Sequence, residues 1–332
     1  MQDSALPLDY LSFRQFLPDL ILNFEERETS YRNLHRVQLS LTQKLDLKTR
    51  FDRNAHGADP IELWHEIKEI DEELIFFSQF KSTLEESLRL QGFFLFENLP
   101  FDSLAGNSKD GINSELCLLF LTRILGMPYG YRSQRSGKII QDLRPALSDA
   151  NKQLGSNSVD LLWHTEDAHS EVSCDYILLA CLRGASEART LVSFVNPDLL
   201  SCEDSAYLHD DCFDIHSDDS FSEKALRPNR FPIISRGPNA RVRFDPMYTK
   251  CESSEHLGAL IELNKLINLS PISISLKSGD ILVIDNRWAV HARTKFSPHF
   301  DGNDRWLQRA NVFRDQLPNS LLADASRNII AG

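Results

Sequence analysis

His164-Thr165-Glu166 sets an imidazole and a carboxylate two residues apart, and His291, Arg305 and Arg309 follow far downstream. Two imidazoles and one carboxylate can take one face of a six-coordinate Fe(II), leaving the opposite face for an oxidant, O2 and exchangeable water. That is oxygenase chemistry. On a strand, residues i and i+2 share a side, so His164 and Glu166 can hold one metal from adjacent same-face positions of a single extended segment. The third ligand must then come from elsewhere in the chain.

A His-x-acid pair is weak evidence by itself in an acidic chain with ten histidines. Pairs of this kind include His164/Glu166, His209/Asp211, His216/Asp218 and His299/Asp301. Only the first sits between an apolar run, Leu161-Leu162-Trp163, and a strand-like one, Tyr176 to Leu182; the others lie among Asp, Ser, Gly and Pro, the composition of solvated loops. The bland alternative for the first pair is a hydrogen-bonded histidine at a barrel mouth. The downstream segment speaks against it. Gly279 to His291 reads as a buried strand, a tight turn and a second strand that carries His291 inward. Arg305 to Arg309 reads as a further strand with Arg305, Leu307 and Arg309 on one face and Trp306 and Gln308 on the other. If that face is interior, each guanidinium needs an anion, because an unpaired buried charge is costly and arginine does not neutralise itself. A small-molecule carboxylate matches the arginine fork. A solvent-facing edge with two ordinary arginines is the alternative.

Trp163-His164-Thr165-Glu166-Asp167, His291, and the two arginines fourteen and eighteen positions beyond it resemble the clavaminate synthase-like Fe(II)/2-oxoglutarate-dependent oxygenases, and within them the hydroxylases of free arginine, asparagine and lysine. Gly92 to Phe96, Gly137 to Leu143 before Arg144-Pro145, and Thr190 in a following strand add to the resemblance, which covers roughly residues 85 to 315. Residues 1 to about 60 match no known pattern. The resemblance implies His164, Glu166 and His291 as iron ligands, Arg305 and Thr190 on the distal carboxylate of the co-substrate 2-oxoglutarate, and Arg309 on the α-carboxylate of an amino-acid substrate. It also implies the reaction: 2-oxoglutarate and O2 yield succinate and CO2 while a substrate C–H bond is hydroxylated. The Glu in the carboxylate position is typical of this branch. It argues against halogenation, which needs that ligand replaced by a small residue.

Substrate choice turns on charge. The stretch Asp210 to Ser220 is dense in acid, and Asp245 follows the strand-like Arg241-Val242-Arg243-Phe244. By the resemblance, Asp218 or Asp219 belongs to a lid and Asp245 contacts a cationic side chain, with Gln134 on the substrate amino group; a solvated acidic loop and a plain loop glutamine are the alternatives. The arginine hydroxylases offer a second acid two residues after the strand aspartate, where this chain has Met247. A planar guanidinium gains more from several fixed carboxylates than an ammonium does. The expectation is therefore a free basic amino acid, L-lysine first, with hydroxylation or desaturation of L-arginine as the alternative.

Composition fits an enzyme of this kind. At 332 residues and 42% hydrophobic content the chain can bury a full core as a single domain over 1–332. A net charge of −12 disfavours nucleic acid and anionic membranes as partners. No secretory signal or membrane span is visible, and the six cysteines lack CxxC spacing, so reduced thiols in the cytoplasm are expected. From Pro60 to about Gln91, Leu63, Trp64, Ile67, Ile70, Leu74, Phe77, Leu84 and Leu88 step mostly by three and four, predicting an amphipathic helix or pair of helices. Its stripe packs on the core, and part of it is available for a contact in a homo-oligomer. Leu116 to Leu125 predicts a short buried helix. Strands dominate from Tyr176 to Phe313 around a polar insertion at about 197–230. The expected fold class is mainly β with a helical N-terminal part: a mostly helical extension over 1–91, then a double-stranded β-helix (jelly roll) core over 92–315 with the insertion as lid. Two readings of other classes compete. A cupin-like metal-binding protein would not need both arginines on one inward face, and an interaction protein would not need the ligand triad.

Overall fold

Eight strands form the centre of the molecule: β1 (Ile140–Leu143), β2 (Leu161–His164), β3 (Tyr176–Arg183), β4 (Thr190–Phe194), β5 (Ile272–Ile274), β6 (Ile281–Asp285), β7 (Ala289–Arg293) and β8 (Trp306–Phe313). They pair antiparallel in two sheets, ordered β1-β8-β3-β6 and β2-β7-β4-β5. The first sheet is widened by Phe93–Glu97 beyond β6 and by Met127–Tyr131 beside β1 on β8. The structure, a computed structural model, describes residues 11–12, 36–54, 59–68, 71–102, 111–147, 159–218, 220–221, 229–251, 253–317 and 319–330. Among these no ladder joins the two sheets, so the expected barrel is an open pair of sheets within a mixed helix and sheet architecture.

Strict alternation along the strands sorts side chains between layers. Phe93, Leu95, Ile177, Leu179, Leu282 and Ile284 of the larger sheet meet Val192, Ile274 and Ala289 of the smaller one in a single interior cluster. Their neighbours Phe94, Phe96, Leu178, Ala180, Ile281 and Val283 point the other way, under helices. Those helices are α1 (Leu41–Asn54), α2 (Pro60–Glu66), α3 (Glu72–Ser78), α4 (Lys81–Gln91) and α5 (Ile112–Leu125). Helix α5 is apolar nearly all round and buried along most of its length, as such a helix must be. The outer face of the smaller sheet (Trp163, Leu191, Val290, Ala292) is covered by Leu257, Leu260 and Leu263. Each Val, Leu, Ile or Phe side chain so buried contributes about 1.5–3 kcal/mol relative to exposure.

The 60–91 stretch divides into three helices where one or two are expected. Asp59 accepts from the Ile61 N–H at 3.0 Å and Pro60 follows, which starts α2; the Lys68 N–H then turns back onto Asp71 at 2.8 Å, and α3 and α4 begin anew. Helix α4 ends at Gly92 with φ +79°, where a Cβ would stand 2.7 Å from that of Ala289 on β7. The tract from Tyr176 to Phe313 also holds two helices that a strand reading misses: α6 (Cys202–Leu208) and α7 (Ser254–Ile267), capped by Ser201 and Ser253. Tertiary burial of Leu257, Leu260, Leu263 and Ile267 on one face selects helix there. All six cysteines are free thiols, and no helix among the described residues is long and apolar enough to cross a membrane.

One charge sits uneasily in this packing. Glu115 of α5 lies against the outer face of the larger sheet, where Gln308 donates to it at 3.1 Å. Burial, reinforced by Asp142 and Asp102 and opposed by Lys138, pushes its pKa up to about 7 from 4.5. A folded pKa above the unfolded one means that stability is fully present below about pH 4.5 and declines as pH rises to about 7. Glu115→Gln is therefore expected to flatten that dependence and to gain on the order of 1–3 kcal/mol at about pH 8. Urea unfolding of both chains at about pH 5 and about pH 8 checks this; identical pH dependence in the two would show that Glu115 is not the cause.

Candidate active site

The site is built on one cross-strand pair. His164 ends β2 directly opposite His291 of β7, with ring centroids 4.1 Å apart. Register places both imidazoles on the interior face. Thr165 turns away, its N–H and hydroxyl engaging the Phe244 backbone at 2.7 and 3.0 Å, and Glu166 returns to the histidines' side. The strand ends at His164, so Glu166 lies in the following turn rather than on the extended segment expected for the pair. Ligand atoms of His164, Glu166 and His291 all lie within 4.8 Å of one another. Among the described residues this is the one cluster that could hold a metal, and the other His-x-acid pairs form none.

The donor set suits divalent iron. His164 Nδ1 lies 2.8 Å from the Leu162 carbonyl, a contact that requires the proton on Nδ1 and leaves the Nε2 lone pair for a metal. Burial, with the charges of His164 and Arg309, holds His291 far below the ordinary imidazole range, which leaves the neutral ring that a metal would require. The His291 Nδ1 is buried without a hydrogen-bond partner among the described residues.

A pocket opens onto this triad, lined by both cations and carboxylates. Thr190, Arg293, Arg305 and Leu307 contribute to its wall. Arg305 is only 6% exposed, and burial pushes its pKa down to about 10. Among the described residues its guanidinium has no ion pair and no hydrogen bond, its recorded contact being the Phe296 ring at 6.0 Å. A buried cation in that state calls for an anion. Arg309, on the same face two alternations along β8, is differently placed: its fork engages Glu166, the Gln141 Oε1 at 2.7 Å and the Gln134 Oε1 at 3.3 Å. Asp218, Ser220, Asp245, Met247 and Tyr248 line the remaining wall. Burial, then repulsion from Asp218 and Glu166, lifts Asp245 well above the usual carboxylate range, against backbone N–H donation from Tyr248 and Met247. Gln134 is buried and donates to the Ser220 hydroxyl at 2.7 Å, and that hydroxyl donates in turn to Asp218. Asp219 lies outside the described residues.

The structure thus brings together His164, Glu166, His291, Thr190, Arg305, Arg309, Gln134, Asp218 and Asp245. Sequence reasoning missed Arg293, which shares the His291 face at i+2, and Gln141, which pairs with Arg309 across β1 and β8. The first was legible from alternation. The second needed the β1–β8 register, which no local pattern encodes.

No family model matches the chain. It is similar to an enduracididine beta-hydroxylase of Streptomyces hygroscopicus, 31% identical over 232 residues that cover 61% of this chain and 68% of that protein. It is also similar to an L-ornithine/L-arginine 3-hydroxylase of Catenulispora acidiphila, 30% identical over 235 residues that cover 61% of this chain and 68% of that protein. Among solved structures, a non-heme iron oxygenase in complex with Fe and alpha-ketoglutaric acid superposes with a TM-score of 0.75 at 25% identity, over 90% of this chain and all of the other.

Three protein donors leave no spare, so losing one is expected to remove most of the metal affinity. His164→Ala, Glu166→Ala and His291→Ala should each bind Co(II), used as a spectroscopic probe, at least about tenfold more weakly than the wild type while keeping its circular dichroism. Unchanged Co(II) affinity in any one of them would remove that residue from the site.

Proposed function

Because this chain belongs to the clavaminate synthase-like Fe(II)/2-oxoglutarate-dependent oxygenases, we propose that it hydroxylates a free basic L-amino acid, consuming O2 and 2-oxoglutarate and releasing succinate and CO2. The observation that carries the substrate class is the charge content of the pocket, a buried arginine without an ion pair among the described residues together with Asp218 and Asp245, two carboxylates near enough to repel one another. We read the two sheets as the halves of a double-stranded β-helix within one domain, and the insertion at about 197–230, which supplies Asp218, as its lid.

His164, Glu166 and His291 would hold the iron, which with 2-oxoglutarate bound supplies the O2 activation that oxidises a substrate C–H bond. Arg305 and Thr190 take the distal carboxylate of 2-oxoglutarate, so the otherwise unpaired guanidinium gains its anion. Arg309 takes the substrate α-carboxylate, oriented by Gln141, while Gln134 receives the amino group. The protein's work is orientation: each end of the substrate is gripped by a group of opposite charge, which fixes the carbon that faces the metal. Leu143, Leu179 and Leu307 line the pocket with apolar surface and limit the water around the reacting centre.

Asp218 and Asp245 suit an ammonium or a guanidinium and repel an acidic side chain. Met247 in place of a further carboxylate favours L-lysine. L-arginine is the second reading, supported by the named substrates of the Catenulispora relative. Succinate formation by the Fe(II)-loaded chain in air, against a panel of free amino acids, is expected to be fastest with L-lysine, then L-arginine or L-ornithine, and slow with L-glutamate and L-leucine. Asp245→Asn should weaken use of the basic substrate more than that of 2-oxoglutarate. A neutral or acidic amino acid turning over best, with Asp245→Asn silent, would overturn the substrate class and leave the oxygenase standing.

The two arginines should separate kinetically. Arg305→Ala is expected to raise the apparent KM for 2-oxoglutarate, and Arg309→Ala that for the amino acid, each by the equivalent of about 2–5 kcal/mol, the cost of leaving a buried partner unpaired. Equal impairment of both parameters in both variants would mean a shared structural role instead.

A further inference from the structure

Glu166 stands where the β2–β7 ladder has already ended, so neither its N–H nor its C=O has a strand partner. Both are taken by one side chain. The Asn286 carboxamide accepts from the Glu166 N–H at 2.7 Å and donates to the Glu166 carbonyl at 3.1 Å; its second N–H reaches the Cys174 carbonyl at 3.0 Å. The orientation of the amide is fixed by these partners, since a flip would set oxygen against two carbonyls. We propose that Asn286 is the positioning residue of the metal centre. It acts as a detached peptide group that extends the ladder by one residue and fixes the Glu166 carboxylate relative to His291.

Three observations support a role beyond that of a turn residue. Asn286 is 1% exposed and lies outside the pocket, so it touches neither substrate nor metal. Its φ is not positive, so the β6–β7 turn does not need asparagine for its backbone. The residue after Glu166, Asp167, turns the chain away at φ +52°, which leaves the Glu166 peptide without other ladder support; apart from Asn286, the Ser173 hydroxyl reaches its carbonyl at 3.0 Å. Asn286 is also five residues before His291 on the hairpin that carries it, and its own N–H donates to Asp175 at 2.9 Å. The second and third ligands are thereby tied to one rigid turn. Among small side chains only a carboxamide presents a donor and an acceptor together as a peptide does; aspartate supplies acceptors alone.

The inference rests on the metal reading of the triad, and the test separates the two. Co(II) affinity is measured by titration on the full chain for wild type, Asn286→Ala, the nearly isosteric Asn286→Asp, and Leu263→Ala, a destabilised control in α7 whose side chain is fully buried away from the triad. Both Asn286 variants are expected to bind Co(II) about 10–100-fold more weakly, the usual cost of losing a group that orients a metal ligand, with the control at wild-type affinity. If Asn286→Ala does not fold, Asn286→Asp, with the same shape and without the donors, carries the comparison. Asn286 variants within about twofold of wild type, or a control weakened as much as they are, would overturn the proposal. A wild-type chain that binds no Co(II) would overturn the metal reading as well.

Discussion

Everything in the site hangs on the register between β2 and β7. Side chains alternate with a period of two, so sliding β7 by one residue would send His291 to the outer face, towards the helix α7 layer, and sliding β2 would do the same to His164, in each case bringing an apolar residue inward. That slip is opposed by the whole sandwich. The outer residues of β7 are packed against one cluster and the inner Ala289 against another, so both faces penalise it. The close approach of Gly92 to Ala289 adds a steric limit, because any side chain at Gly92 would collide with that strand. The metal geometry is thus held in place largely by residues that never meet a metal.

Given that register, electrostatics decide what the pocket can hold. Burial works against every charge there, and the charges respond according to their neighbours. The Arg309 pKa is raised because Glu166, Asp167 and Asp218 outweigh the desolvation, whereas burial pushes Arg305, which pairs with no carboxylate among the described residues, down to about 10. The difference separates two arginines that look equivalent in sequence. One is already satisfied by the protein and can exchange part of its network for a substrate carboxylate; the other is satisfied only by something that enters. Asp245 is destabilised as an anion by Asp218 and Glu166, so a cation binding there relieves repulsion as well as forming an ion pair.

Much of this was legible because the chemistry demands specific residue types. The pairing of His164 with Glu166 and the inward face of β8 were read from residue identity and alternation, although Glu166 lies just past the end of its strand, and Tyr176 to Leu182 reads as an interior strand because it contains little that could face water. Other features depend on long-range pairing. Gln141 matters because β1 lies beside β8, and Glu166 is held by a residue 120 positions away. Helix α7 was hidden for a different reason: its local sequence tolerates more than one structure, and burial of its apolar face against the smaller sheet selects the helix. The serine caps at Ser201 and Ser253 were the available signals.

The division of labour among the layers explains why so polar a pocket can exist in the interior. Its arginines, carboxylates and glutamines are costly to bury, and each must be oriented to within a few tenths of an ångström to be useful. For Gln141, His291, Arg293 and Arg309 the sandwich meets that requirement by placing them on strands whose opposite faces carry Ile140, Val290, Ala292 and Ala310, each locked into an apolar layer. A strand gripped on its outer face cannot rotate, so its inner side chains inherit a fixed direction. Where the chain leaves the strands, as at Glu166, that grip is lost and side-chain amides and hydroxyls take over from the ladder: Asn286 and Ser173 at the Glu166 peptide, Thr165 at Phe244. Hydrogen bonding by side chains is therefore concentrated where the metal ligand departs from regular structure, and it is there that a single polar substitution should do the most harm to the geometry of the centre.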